Sequence, residues 1–123
     1  MINLDLNTKC KIDYTSDFKK QLKKIVKQGK DTNLLLEIVT RLANYEELEP
    51  KYKNHHLIND KTYRDCMECH LKPDWLLVYK YINDNLVLLL VATGSHSEIL
   101  EKWIIEDFIL IVPFFYVWFN SDY

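Results

Sequence analysis

The chain has 123 residues, 48% of them hydrophobic and 28% charged, with a formal net charge of −2. That is the length of one domain able to bury its own core, and the balance excludes a disordered chain. Two Gly and three Pro exclude a collagen-like or low-complexity repeat, and three Cys are too few for a disulfide scaffold.

The chain opens Met1-Ile2-Asn3-Leu4-Asp5, without the basic stretch and apolar run of a secretory signal, so the expected compartment is the cytoplasm. Residues 9–14 predict a short strand with Cys10, Ile12 and Tyr14 on one face. Thr15 or Ser16 then caps a helix whose apolar stripe is Tyr14, Phe18, Leu22, Ile25 and Val26, ended by Gly29. Asp31 or Thr32 starts a second helix with an apolar face of Leu35, Ile38, Val39 and Leu42, ending before Pro50. The short connection predicts an antiparallel helical hairpin.

After the hairpin the pattern changes to period two. A strand is predicted over 62–70, broken at Pro73, and a second over Trp75–Tyr81. Asn83-Asp84 is a turn signal, and 86–93 predicts a third strand, central and covered on both faces because its apolar run is nearly continuous. Gly94 breaks it, and Ser95 or Ser97 starts a short helix. The expected fold is α+β, an N-terminal helical hairpin packed on a small antiparallel sheet. Residues 108–119 form an uncharged run that is too short to span a membrane and is interrupted by Pro113. A strand or packing arm, an exposed sticky segment and a membrane-associated segment are the three ways to place it.

Charge is uneven along the chain. Residues 9–30 carry eight Lys and two acids, a basic stripe that can track phosphates or simply form a solvated helix face. Residues 98–123 carry one Lys against five acids.

Two constellations bear on chemistry. Cys66-Met67-Glu68-Cys69-His70 matches the CxxCH haem-attachment pattern, but on a strand the two thiols point to opposite faces, and a zinc site needs four ligands where only one CxxC exists. The four His, at 55, 56, 70 and 96, can together with Asp74 form an acid–base site for RNA cleavage by internal attack. Lys51, Lys53, Lys72 and Lys80 lie in the same half and can bind phosphates.

The order of three segments is more specific than any of them alone: YKNHHL (52–57), CMECHLKPDWLLVYKY (66–81) and ATGSHSEIL (92–100). In this order they resemble the RelE superfamily of bacterial toxins, the YafQ branch most closely, over about residues 9–100. The resemblance implies a RelE-like α+β toxin domain over 1–100, followed by an atypical apolar extension, 101–123, that is not a separate domain. It implies a ribosome-dependent mRNA endonuclease that uses no metal or other cofactor, attacks through the 2′-hydroxyl and pairs with a cognate antitoxin. The implied partners are that antitoxin, the ribosome and mRNA, with no DNA binding by the toxin alone and no membrane association. By motif position, His55, His70, Asp74 and His96 are the implied catalytic set. Lys51, Lys53, Arg64 and Lys72 are the cations expected to hold RNA phosphates, and Trp75 is expected in the core. The chain departs from the family pattern at Met67 and Ala92, where Arg is common, and at Leu100, where Phe is common. These departures keep open the alternative of an inactive toxin that only binds its antitoxin.

Overall fold

The computed structural model describes residue 4 and residues 6–57 and 63–99. The order of elements is β1 (Lys11–Tyr14), α1 (Ser16–Lys27), α2 (Thr32–Ala43), a 3-10 turn (Pro50–Tyr52), β2 (His55–His56), β3 (Met67–Lys72), β4 (Trp75–Ile82) and β5 (Val87–Gly94). A helical turn begins after β5, at residues 96–99. The uncharged run at 108–119, the whole extension 101–123 and Leu100 lie outside the described residues.

The helices form where the sequence places caps and stripes. Thr15 Oγ1 accepts from Phe18 N at 3.0 Å and donates to the Val91 carbonyl at 2.7 Å, so the start of α1 is tied to β5. Asp31 caps α2 by accepting from Asn33 N and Leu34 N. Between them Gly29, at φ +73°, takes the left-handed conformation that ends α1. Phe18, Leu22 and Ile25 are buried, as are Leu35, Ile38, Val39 and Leu42. Tyr14 and Val26, assigned to the α1 stripe from sequence, are exposed.

The five strands make one sheet in the order β1-β5-β4-β3-β2. β5, β4, β3 and β2 are paired antiparallel, whereas β1 joins the edge parallel to β5, with Ile12 opposite Leu88. The expected strand over 62–70 is displaced: residues 63–65 form a turn with Asp65 at φ +60°, and β3 runs over Met67–Lys72. Asn83, Asp84 and Asn85 all have positive φ in the β4–β5 turn, and Leu86 belongs to that turn. The strand covered on both faces is β4, where Trp75–Tyr79 are all buried; burial in the first half of β5 alternates.

One sheet face packs against the helices and holds the main core, including Phe18, Leu35, Ile38, Cys69, Trp75, Leu77 and Leu88. The other face carries a smaller apolar cluster of Tyr63, Cys66, Leu76, Val78, Ala92 and Ile99. Cys66, just before β3, and Cys69 within it therefore belong to different clusters on opposite faces, and both are buried. Burial pushes the Cys69 thiol up to about 12, with the charge of Glu68 adding to the effect. By this criterion Cys69 is not a reactive thiolate.

Candidate functional site

Strand register builds the site on the sheet face away from the helices. His55 of β2 lies opposite Glu68 of β3, Glu68 opposite Val78 of β4, and Val78 opposite Ala92 of β5. Two residues along β3, His70 lies opposite Leu76, which in turn faces Gly94. Alternation puts Glu68 and His70 on one face of β3 and Met67, Cys69 and Leu71 on the helix-packed face. The β3–β4 turn then supplies Asp74, and the helical turn after β5 supplies His96.

The result is a row of side chains. The His55 and His70 rings are 6.1 Å apart, and the His70 and His96 rings 5.3 Å. Glu68 sits between the first two, with one carboxylate oxygen 3.6 Å from His55 Nε2 and 3.5 Å from His70 Nε2. Asp74 Oδ1 accepts from both His96 N at 3.0 Å and His96 Nδ1 at 2.8 Å. Because a carboxylate only accepts, the ring proton of His96 is on Nδ1, and Nε2 is the nitrogen left for exchange with a substrate. Similarly His55 Nδ1 donates to the Lys53 carbonyl at 2.6 Å.

The environment divides the titrating groups. Burial pushes the His70 imidazole below its ordinary value; the charge of Glu68 works against this, while His96, His55 and Lys53 add to the downward push. His70 is thus a neutral imidazole near pH 7, able to take a proton. The Asp74 carboxyl is held below the usual range chiefly by the His96 backbone N–H and then by the ring, with Lys30 contributing charge.

Of the residues singled out in the sequence, His55, His70, Asp74 and His96 converge in this row. His56 does not: it lies opposite Met67 and helps line a cleft on the helix side of the sheet with Tyr45, Tyr79 and Tyr81. Lys53 is tied to the row through its carbonyl and its charge. Lys51 lies 5.1 Å above the Tyr52 ring, Arg64 is exposed in the turn before β3, and Lys72 is exposed at the end of β3. Trp75 is in the core, 2% exposed, its indole N–H donating to Thr93 Oγ1 at 3.0 Å.

Two participants were not singled out in the sequence. Glu68 stood inside the CxxCH pattern, and its period-two spacing from His70 was the available signal. Lys30, in the turn between the helices, lies 5.8 Å over the Trp75 ring beside Asp74. His55, Glu68 and His70 also offer three ligand atoms within 4.8 Å of one another, a two-histidine, one-carboxylate set that suits a first-row divalent ion such as zinc or copper.

Known proteins share the sequence pattern and fold of this chain. Residues 10–101 match the family model described as the bacterial toxin of type II toxin–antitoxin systems, YafQ. The mRNA interferase toxin YafQ of Escherichia coli (strain B / BL21-DE3) is 39% identical over 90 residues, which cover 72% of this chain and 92% of that protein. Among solved structures, a metal-bound toxin from Helicobacter pylori is 46% identical with a TM-score of 0.67, covering 72% of this chain and 97% of that one. The YafQ of the E. coli DinJ–YafQ toxin–antitoxin complex is 32% identical with a TM-score of 0.64, covering 73% and 96%. The chain therefore belongs to the YafQ family of bacterial type II toxins.

Proposed function

We propose that this protein is the toxin of a type II toxin–antitoxin pair and an endoribonuclease that cuts messenger RNA during translation on the ribosome, in the cytoplasm. The observation that carries the proposal is the Asp74–His96 pair with a second, neutral imidazole, His70, 5.3 Å away on an open sheet face. Two imidazoles at that separation can serve opposite oxygens of one phosphodiester. The relatives named mRNA interferase toxins support the same substrate, and the DinJ–YafQ complex supports a cognate antitoxin as partner. The exposed Lys19, Lys20, Lys23, Lys24 and Lys27 of α1 offer an acidic antitoxin segment a salt-sensitive docking face.

In the mechanism that fits this geometry, His70 takes the proton of the 2′-hydroxyl. The 2′ oxygen attacks the adjacent phosphorus, the O2′–P bond forms and the P–O5′ bond breaks. His96, acting as the acid, gives its Nε2 proton to the leaving 5′ oxygen, while its Nδ1 proton stays on the ring and is donated as a hydrogen bond to Asp74. The products are a 2′,3′-cyclic phosphate and a 5′-hydroxyl. Glu68 orients His55 and His70, and His55, Lys51, Lys53, Arg64 and Lys72 hold message phosphates. Every proton transfer is assigned to a side chain, so the reaction requires no metal. The toxin domain of this reading is residues 1–100, with 101–123 following it in the sequence.

One observation favours a second reading, a toxin that binds its antitoxin without cutting. Ala92 stands on the His55–Glu68 rung, where the family commonly places Arg, and is buried in the apolar cluster. Primer-extension mapping of a reporter message in a translating extract separates the two. Codon-phased cuts are expected with the wild type and none with His96→Ala. Cuts that persist in His96→Ala would remove that residue from the mechanism. A folded wild type that binds antitoxin and makes no cuts would establish the second reading.

A further inference from the structure

The turn that carries His96 is held at both ends by one face of α1. Gln21 Oε1 accepts from Thr93 N at 2.9 Å, just before the turn. Three residues along the same helix, Lys24 Nζ donates to Glu98 Oε2 at 2.5 Å, at its far side. The other oxygen of Glu98 accepts from Ser95 N at 3.0 Å, and Ser95 Oγ accepts from Glu98 N at 3.2 Å. This is a reciprocal capping box, in which each residue satisfies an amide that the helix start leaves open. The Glu98 side chain also lies over the backbone of Gly94, where a Cβ would meet Glu98 Oε1 at 3.4 Å. Between these anchors sits His96, whose amide and ring both point to Asp74.

A free surface ion pair contributes little to stability and constrains little, because both side chains can swing away. Glu98 differs because its second oxygen is committed to the turn's own backbone. The box fixes the Glu98 side chain to the turn, so rotating the turn against α1 must break the Lys24 bond and cannot be absorbed by a swing of that side chain. The amide of His96 follows Ser95 directly, so the orientation of this turn sets whether His96 N and Nδ1 reach the same Asp74 oxygen.

We propose that Glu98 is a positioning residue: it holds the turn at 95–98 in the orientation in which His96 meets Asp74, and through Lys24 it fixes that turn to the basic helix. This rests on His96 acting in catalysis, as proposed above, and applies to the same site.

The test uses the full chain with three variants. Glu98→Ala removes the capping box and the ion pair. Glu98→Gln and Lys24→Met keep the box, which accepts Gln as well as Glu, and lose only the ion pair. Two readouts are compared: the cleavage rate of a translated message, and the titration of the Asp74 carboxyl followed by carbon NMR. In Glu98→Ala the rate at saturation is expected to fall about tenfold to a hundredfold, as for a catalytic group displaced by about an ångström. KM is expected to stay close to the wild type's. The Asp74 midpoint should move up toward that of an ordinary aspartate as the His96 amide bond is lost. Glu98→Gln and Lys24→Met should fall together between wild type and Glu98→Ala on both readouts. Should Glu98→Ala fail to fold, these two variants carry the test on the same terms. Folded variants with a wild-type rate overturn the proposal. So does a reduced rate with an unmoved Asp74 titration, since the loss would then not pass through the His96 turn. If the wild type itself makes no cuts, the nuclease assignment fails while the Asp74 titration still decides the positioning role.

Discussion

Thr93→Val tests the joint that brings Asp74 and His96 together. Thr93 is 1% exposed. Its hydroxyl accepts from the Trp75 indole N–H at 3.0 Å and donates to the Leu76 carbonyl at 2.7 Å. Trp75 follows Asp74 directly, and Thr93 lies three residues before His96, so these two bonds join the chain segments that carry the pair. Valine keeps the shape and removes the hydroxyl. Two hydrogen bonds at about 0.5–1.5 kcal/mol each are lost, and the buried indole N–H is left without its partner, a penalty of about 1–3 kcal/mol on its own. The two estimates overlap, and we expect a loss of about 2–3 kcal/mol. For a chain of 123 residues that lowers Tm by roughly 8–12 °C. Urea unfolding of both proteins measures the difference directly, as a lower midpoint at constant slope. The cleavage rate of the folded variant should fall as well, because the side-chain tie between the β4 and β5 ends is lost while the backbone ladder remains. A difference below about 0.5 kcal/mol, the size of an ordinary surface substitution, would refute the joint.

Two further predictions concern the row itself. Glu68 favours the charged form of His70, so Glu68→Gln should lower the His70 midpoint further. The acid limb of the pH–rate profile, where His70 must lose its proton to act as base, would then shift to lower pH; a shift to higher pH would reassign the base. Zinc or copper ions should bind at His55, Glu68 and His70 and inhibit cleavage, reversibly with a chelator, because they would occupy the lone pairs that the proposed mechanism uses. Inhibition of equal strength in Glu68→Ala would place the metal elsewhere.

The helices were legible because each carries a cap, a stripe and a stop within a dozen residues. Thr15, Phe18, Leu22, Ile25 and Gly29 specify α1 locally, and tertiary packing only confirms what they state. The sheet was less legible because its organisation is non-local. Nothing near Lys11–Tyr14 announces a parallel partner more than seventy residues away, and β2 has two residues, too few for a period. The same distinction explains the site. Motif order drew attention to His55, His70, Asp74 and His96, which the fold brings together, but Glu68 joins them only when β2 pairs with β3 and brings His55 opposite it. Lys30 needed the fold entirely, since only the packing of the helical turn places it over Trp75.

The two family departures within the described residues have unequal weight. Met67 packs against the helix-side core and lies opposite His56, so its side chain is on the face away from Glu68 and His70. Replacing Arg there takes no group out of the row. Ala92 is on the row's own face, on the rung of His55, Glu68 and Val78, and an Arg fork there would make two-pronged phosphate contact that no residue of β5 can supply. Positive charge reaches the row from its two ends instead. Lys53 lies at the His55 end and acts on His70, and Lys30 lies at the other end and acts on Asp74. An ammonium provides charge without the fork geometry, which suffices to hold a phosphate but orients it less. On the proposed mechanism, a site supplied in this way should retain message binding more fully than rate, so a deficit left by Ala92 is expected in the chemical step and not in affinity for RNA.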